Sequence, residues 1–167
     1  LWWDEYVLDR TIGLQFLIAK SQDLFGRNIF SAYLPTTVAS ILMLFTTYKL
    51  HEELFNKKYA IISPLILATT YLWFDYSHLA TQDIIYSCLV TIGVLALVKI
   101  KSKNNKFYIL LFGIWIGLAF MMKTFLVFVP LLSLLPYIFF KKNFLLNKFF
   151  WLGLLIGFIP FLFWTFS

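Results

Sequence analysis

Side chains that could do chemistry are few in this chain, and several of them border one apolar run. The segment DYSHLATQDIIYS (75–87) contains Asp75, His78 and Asp83 but no Lys or Arg. Lys123 stands between two apolar runs, in FMMKTFLVF. A carboxylate can act as a general base or a metal ligand, and a lysine can neutralise a phosphate. Further charges lie near the N-terminus, at Asp4, Glu5, Asp9 and Arg10.

These side chains also have simpler explanations. Solvation at a membrane surface accounts for Asp23 and Asp75. Asp83 could cap the helix that begins there, or serve a function, or both. His78 is more typical of a polar interfacial residue than of a ligand. Lys123 could be a snorkelling lysine at a hairpin, but the cost of an ionisable group at that depth favours a cation that binds a lipid phosphate.

The elements that must position these residues are strongly apolar. Hydrophobic residues make up 61% of the chain and charged residues 13%, whereas soluble domains contain about 45–50% and about 25%. These values predict an all-α polytopic membrane protein, because outer-membrane barrels alternate apolar with polar residues instead. The single cysteine, Cys88, lies in an apolar run, which predicts a packed side chain rather than a disulfide or a metal ligand.

Six apolar stretches indicate about six transmembrane helices: 29–50, 59–74, 84–98, 107–122, 125–140 and 149–166. The two that flank Lys123 would form a helix of about 50 Å if they were continuous, so we expect a reversal near Met122–Thr124. Residues 1–28 mix Trp, Leu and Ile with charges, which predicts an amphipathic helix on the outer interface. The predicted organisation is therefore an interfacial segment, 1–28, and a partial transmembrane domain, 29–167.

The lysines predict the orientation of the chain. Ten of the fourteen Lys and Arg residues fall in 49–58, 99–106 and 141–148, which follow alternate apolar stretches. By the positive-inside rule that side is cytoplasmic, so 1–28, 75–83 and Lys123 face outward. The motifs GIWIG (113–117) and GLLIG (153–157) predict close packing between helices. Because the chain begins without Met and stops after an apolar run, we expect an internal part of a longer protein.

Three motifs together resemble one known family. They are LFGRNIFSAYLPTTVASILMLFTTYKLHEELFNKKYA, SHLATQDIIYSCLV and GIWIGLAFMMKTFLVFVPLL, which cover roughly residues 14–140. In order, spacing and topology they are similar to segments of the membrane-integral glycosyltransferases related to protein O-mannosyltransferases and lipid A aminoarabinose transferases. Two positions depart from the family pattern, with Tyr33 in place of an arginine and Thr124-Phe125 in place of Gly-Pro.

The resemblance implies the roles of the charged residues. Asp4 and Glu5 resemble a first-loop pair whose Asp is the general base, although the short spacing to Asp9-Arg10 also allows the true pair to lie upstream. Asp83 matches the second-loop acid, and Lys123 matches the lysine near the donor phosphate. The implied catalytic residues are Asp4, Glu5 and Asp83, and the implied substrate-binding residues are Asp9, Arg10, His78 and Lys123.

The implied reaction moves a sugar from a polyprenyl-phosphate donor to a protein, lipid or glycan acceptor at the outer face of a membrane, which we expect to be the bacterial inner membrane. The partners are then the donor, the acceptor and membrane lipids, and not nucleic acid, because the basic residues flank membrane helices. The sequence leaves open whether a divalent cation takes part. The alternatives are a transporter or flippase-like protein and a non-catalytic scaffold. A transporter would place charges within helices and break helices in paired halves.

Overall fold

The protein is helical throughout the residues that the computed structural model describes, which are 13–100, 105–140 and 144–166. Eight α-helices follow one another in this part of the chain, joined by short turns. They are α1 (Gly13–Phe25), α2 (Ile29–Leu54), α3 (Ile62–Thr69), α4 (Tyr71–Ser77), α5 (Gln82–Lys99), α6 (Lys106–Lys123), α7 (Phe128–Phe140) and α8 (Lys148–Phe166). Two short 3₁₀ segments, Lys57–Tyr59 and Thr124–Val127, precede α3 and α7. The predicted all-α class is confirmed.

Three segments are long and apolar enough to cross a membrane, namely Ile29–Leu54, Gln82–Lys99 and Lys106–Phe140. Large hydrophobic side chains such as Ile41, Phe45 and Phe139 are exposed on the helix surfaces, as expected where the surrounding medium is lipid. The chain is thus an integral membrane protein. The count of six membrane crossings stays a prediction, because α3, α4 and α8 lie outside these three segments.

The stretch 59–74 is not the single helix that its apolar run predicts. It divides into α3 and α4 at Thr70, whose ψ of 126° is extended rather than helical. The hydroxyl of Thr70 donates to the carbonyl of Ile66 at 2.9 Å, and Thr69 bonds to the same carbonyl at 2.9 Å. Side-chain hydrogen bonds of this kind compete with the helical pattern, and hydropathy does not register them.

The predicted break at Lys123 is present. Helix α6 ends at Lys123, and Thr124, the first residue of the 3₁₀ segment, takes a positive φ of 42°. The chain then returns along α6, because Phe144, just after α7, packs on Phe112 near the start of α6 with ring centroids 5.6 Å apart. A straight continuation would carry Phe144 tens of ångströms from Phe112. Helix α7 is therefore antiparallel to α6.

The two glycine motifs form the crossing between α6 and α8, as predicted. A Cβ on Gly113 would lie 2.5 Å from the carbonyl oxygen of Phe150, and a Cβ on Gly117 would lie 2.3 Å from the carbonyl carbon of Gly157. The order of these contacts shows that α6 and α8 run parallel. Only glycine allows backbones this close, and such close approach supplies the dispersion contacts that hold helices together in lipid.

Ion pairs mark the two ends of the bundle. At one end Glu53 of α2 pairs with Lys99 of α5 at 3.4 Å, and Lys99 lies 5.4 Å from the ring centroid of Tyr108 on α6. We call this end, which also contains Lys106, the basic end. At the other end Asp83 of α5 pairs with Lys123 of α6. For the described lysines of these segments, such as Lys99 and Lys106, the predicted separation from Asp83 and Lys123 is thus observed, whereas the side of the membrane that each end faces stays a prediction.

Helix α1 packs at the end that holds Asp83. Leu14 is buried in a cluster with Ile84, Cys88 and Met122, while Leu17 packs at its edge. The predicted helix in this part of the chain and the predicted packing of Cys88 are therefore confirmed. The predicted place of residues 1–28 on the membrane interface stays a prediction.

Candidate active site

Asp83 and Lys123 are brought together from positions forty residues apart. Asp83 lies in the first turn of α5, and Lys123 is the last residue of α6. Because α5 and α6 run antiparallel, these two helix ends meet, and the ammonium of Lys123 donates a hydrogen bond to Oδ1 of Asp83. The side chain of Asp83 is 44% exposed and that of Lys123 is 23% exposed. The pair therefore borders the surface, where a ligand could reach it.

The structure argues against a capping role for Asp83. The N-cap residue of α5 is Thr81, so Asp83 lies inside the helix and its carboxylate binds Lys123 instead of capping. The first-turn position remains favourable, because the helix dipole stabilises a negative charge there. The snorkelling explanation of Lys123 is also incomplete, since its ammonium is held by a specific carboxylate from another helix.

Tyr86 completes this cluster, and the sequence analysis missed it. Its ring centroid lies 5.9 Å from the ammonium of Lys123, and its hydroxyl donates to the carbonyl of Leu126 at 2.8 Å. Tyr86 therefore contacts both the lysine and the turn that follows it. The spacing in the sequence could have indicated Tyr86, because residues three apart share a helix face and Tyr86 is three residues after Asp83.

Helix α1 supports the cluster from beside the turn. A Cβ on Gly13 would lie only 2.6 Å from the sulfur of Met122, so this glycine lets α1 approach the residue next to Lys123. Met121 and Met122 are both buried. The backbone that carries Lys123 is thus packed against α1 and α5, which limits how far the ammonium can move.

His78 is placed in a different local environment. It ends α4, where its Nδ1 lies 2.7 Å from the carbonyl of Phe74 and 3.2 Å from the hydroxyl of Ser77. It also lines an open, mainly apolar groove of about 380 Å³ between α2 and α4, together with Tyr33 and Thr37. The predicted substrate-binding role of His78 stays a prediction, and the residue belongs to this groove rather than to the cluster around Lys123.

The remaining predicted site residues, Asp4, Glu5, Asp9 and Arg10, lie outside the described residues, so their roles also stay predictions. Residues 13–100, 105–140 and 144–166 contain no group of three or more His, Cys, Asp or Glu side chains placed to hold a metal ion. The cluster around Lys123 offers one ammonium, the carboxylate of Asp83 and the phenol of Tyr86 at the surface of the helical bundle.

The fold and the site together define a helical integral membrane protein with a cross-helix ion pair at the end opposite its lysine-rich segments. The family model described as dolichyl-phosphate-mannose-protein mannosyltransferase matches residues 9–165. The chain belongs to this family, whose members are glycosyltransferases that use a polyprenyl-phosphate-linked sugar. This result confirms the resemblance that the sequence motifs indicate. No curated protein and no solved structure gave a significant match.

Proposed function

We propose that the protein containing this chain transfers a sugar from a polyprenyl-phosphate donor to a hydroxyl or amine of an acceptor at the outer face of the membrane. The observation that carries the proposal is the Asp83–Lys123 pair, a cation held at the bundle end away from the lysine-rich segments. The family supports the class of donor. The outer-face assignment is supported by the positive-inside rule.

Lys123 would bind the phosphate of the donor. An ammonium has three N–H donors, and Asp83 accepts from one of them, which leaves two for phosphate oxygens. During transfer the bond between the anomeric carbon and the phosphate oxygen breaks, and the electron pair stays on the phosphate. Because negative charge grows there, a fixed cation stabilises the transition state more than the ground state.

Asp83 would hold the lysine in place and keep the empty site neutral. An unpaired ammonium near lipid is costly, and a carboxylate from the neighbouring helix offsets that cost. The acceptor must lose a proton as its new bond to the anomeric carbon forms. We assign this proton to Asp4, beside Glu5, with Asp9 and Arg10 helping to bind substrate, as the family resemblance implies.

The test uses the full-length protein in proteoliposomes with a labelled polyprenyl-phosphate sugar, and it follows release of the free carrier. We expect Lys123→Ala to lower turnover by about 10²-fold or more, the effect of removing one donor that stabilises developing charge. Asp83→Asn should also lower turnover. The matched control is Lys99→Ala, because Lys99 also pairs with a carboxylate and lies over a tyrosine, but at the basic end.

Turnover that survives Lys123→Ala, or that falls equally in Lys99→Ala, would contradict the proposed site. A wild-type protein that releases no carrier from a range of polyprenyl-phosphate sugars would contradict the proposed reaction. Asp4→Asn tests the base separately, since turnover that persists in this variant would place the general base elsewhere while leaving the role of Lys123 intact.

A further inference from the structure

We propose that the basic end carries a binding site for one anionic phospholipid, formed by Lys106, Lys148 and the groove beside Trp151 on α8. The phosphate of the lipid would lie between the two ammonium groups, and an acyl chain would follow the groove along Leu152 and Leu155. The site is at the opposite end of the bundle from Asp83 and does not depend on the proposed reaction.

Both lysines lie beside the ring of Phe149. The ammonium of Lys106, on α6, lies 5.5 Å from the ring centroid of Phe149, and that of Lys148 lies 5.8 Å from the same centroid. The two charges are therefore within about 11 Å of each other. The backbone N–H of Phe149 donates to Oδ1 of Asn147 at 3.1 Å, which fixes the start of α8 and with it the position of the ring.

The two lysines lie where positive charge exceeds negative charge. From residue 24 onward the sequence has four acids, and two of them, Asp75 and Asp83, precede or begin α5, away from this end. Glu52 pairs with Lys49 and Lys57, and Glu53 pairs with Lys99. The neighbouring segments 101–104 and 141–143, outside the described residues, contain four lysines and no acid. Lys106 and Lys148 therefore lie in a part of the sequence rich in positive charge, which favours the binding of an anion.

The groove beside them is shaped for an apolar chain. Its volume is about 550 Å³, and it is lined by Lys148, Phe149, Trp151, Leu152 and Leu155. Trp151 is 58% exposed and Leu155 is 63% exposed, so this wall is open to the bilayer. The indole N–H of Trp151 donates to the carbonyl of Leu145 at 3.1 Å, which holds the ring at the edge of the groove.

This pattern fits a phospholipid better than a free anion or a protein partner. The cations lie at one end of the groove, and its walls are apolar along a helix that is itself strongly apolar. A phospholipid has the same arrangement, with an anionic head and an apolar tail. Basic pockets between helices at a membrane surface favour anionic lipid headgroups, and tryptophan favours the level of those headgroups.

The test measures lipid binding to the full-length protein by native mass spectrometry. The purified protein is titrated with dioleoyl phosphatidylglycerol and, separately, with dioleoyl phosphatidylcholine. We expect the wild type to bind one phosphatidylglycerol at least tenfold more tightly than phosphatidylcholine. The variant Lys106→Gln/Lys148→Gln should lose that preference.

The matched control is Lys57→Gln/Lys58→Gln, which removes the same charge from other lysine positions. This control should change phosphatidylglycerol affinity by less than twofold. Leu155→Ser should weaken both lipids about threefold, because it alters the wall that the chain contacts, and circular dichroism checks that every variant folds.

Two results would overturn the proposal. Equal loss of affinity in the two double variants would show diffuse attraction by the whole basic end rather than a site. A spectrum dominated by a dimer that disappears in Lys106→Gln/Lys148→Gln would assign this face to a second copy of the chain.

Discussion

Removing the hydroxyl of Tyr86 should loosen the turn that carries Lys123. Tyr86→Phe keeps the ring beside the ammonium but removes the hydrogen bond that the hydroxyl donates to the carbonyl of Leu126 at 2.8 Å. A typical intramolecular hydrogen bond contributes about 0.5–1.5 kcal/mol to stability. Because Leu126 is 50% exposed and its carbonyl still accepts from the backbone N–H of Phe128, we expect a loss of about 1 kcal/mol and no more. If this free energy holds Lys123 in its binding position, the same change lowers turnover about fivefold.

Two assays check this expectation. Thermal denaturation of the purified protein should show a midpoint lower by about 2–4 °C, the shift that about 1 kcal/mol produces in a chain of this size. Carrier release in proteoliposomes should show the loss of turnover. The control is Tyr108→Phe, since the ring of Tyr108 also lies near a paired lysine, at 5.4 Å from the ammonium of Lys99, but at the basic end.

The reasoning fails if Tyr86→Phe behaves like Tyr108→Phe in both assays. It also fails in part if stability falls while turnover is unchanged, because the hydroxyl would then support the fold without positioning Lys123. A variant that removes the ring, Tyr86→Leu, should be more damaging than Tyr86→Phe in turnover, because it also removes the contact between ring and ammonium.

Two further perturbations address the helix crossing and the ion pair. Gly117→Ala would place a Cβ 2.3 Å from the carbonyl carbon of Gly157, whereas ordinary contact begins at 3.4 Å. Helices α6 and α8 must then separate by about 1 Å, and the free energy of unfolding should fall by about 1–3 kcal/mol. The control is Ile159→Phe, which adds more atoms on an exposed face of α8 and should change stability by less than about 0.5 kcal/mol. Equal losses of stability in Gly117→Ala and Ile159→Phe would refute the tight crossing. In a double-mutant cycle, Asp83→Asn and Lys123→Met should show a coupling of about 1 kcal/mol for this half-exposed pair. A coupling near zero would show that the ion pair does not stabilise the fold.

Hydropathy and lysine placement were sufficient to predict the class of fold and the segregation of charge. They were insufficient where local hydrogen bonds decide the structure. The run 59–74 is mostly apolar, yet the hydroxyls of Thr69 and Thr70 bond to preceding carbonyls where the helix breaks. The reversal at Lys123 was predictable without a glycine or proline signal, because one straight helix would have exceeded the thickness of a bilayer.

The site was predictable one residue at a time but not as a cluster. Asp83 and Lys123 each stood out as charges beside apolar runs, and their contact depends on the antiparallel meeting of α5 and α6. Tyr86 did not stand out, because tyrosine is frequent in this chain and its hydrogen bond reaches across forty residues. His78 lies near Asp83 in sequence. Helix α4 ends just before it, at Ser77, and the imidazole of His78 lines a different groove.

Thr124 shapes how the protein can respond to its donor. Its φ of 42° is a conformation that glycine adopts freely and a β-branched residue adopts only at a cost in free energy. The turn is therefore imposed by the burial of its neighbours Met122 and Val127 and not by its own preference. Threonine on its own would relax to a negative φ, so only the packing of these neighbours keeps the turn in this conformation. The ammonium of Lys123 is then mechanically coupled to the helices, so a donor that shifts the lysine must also shift the packing of the bundle around it.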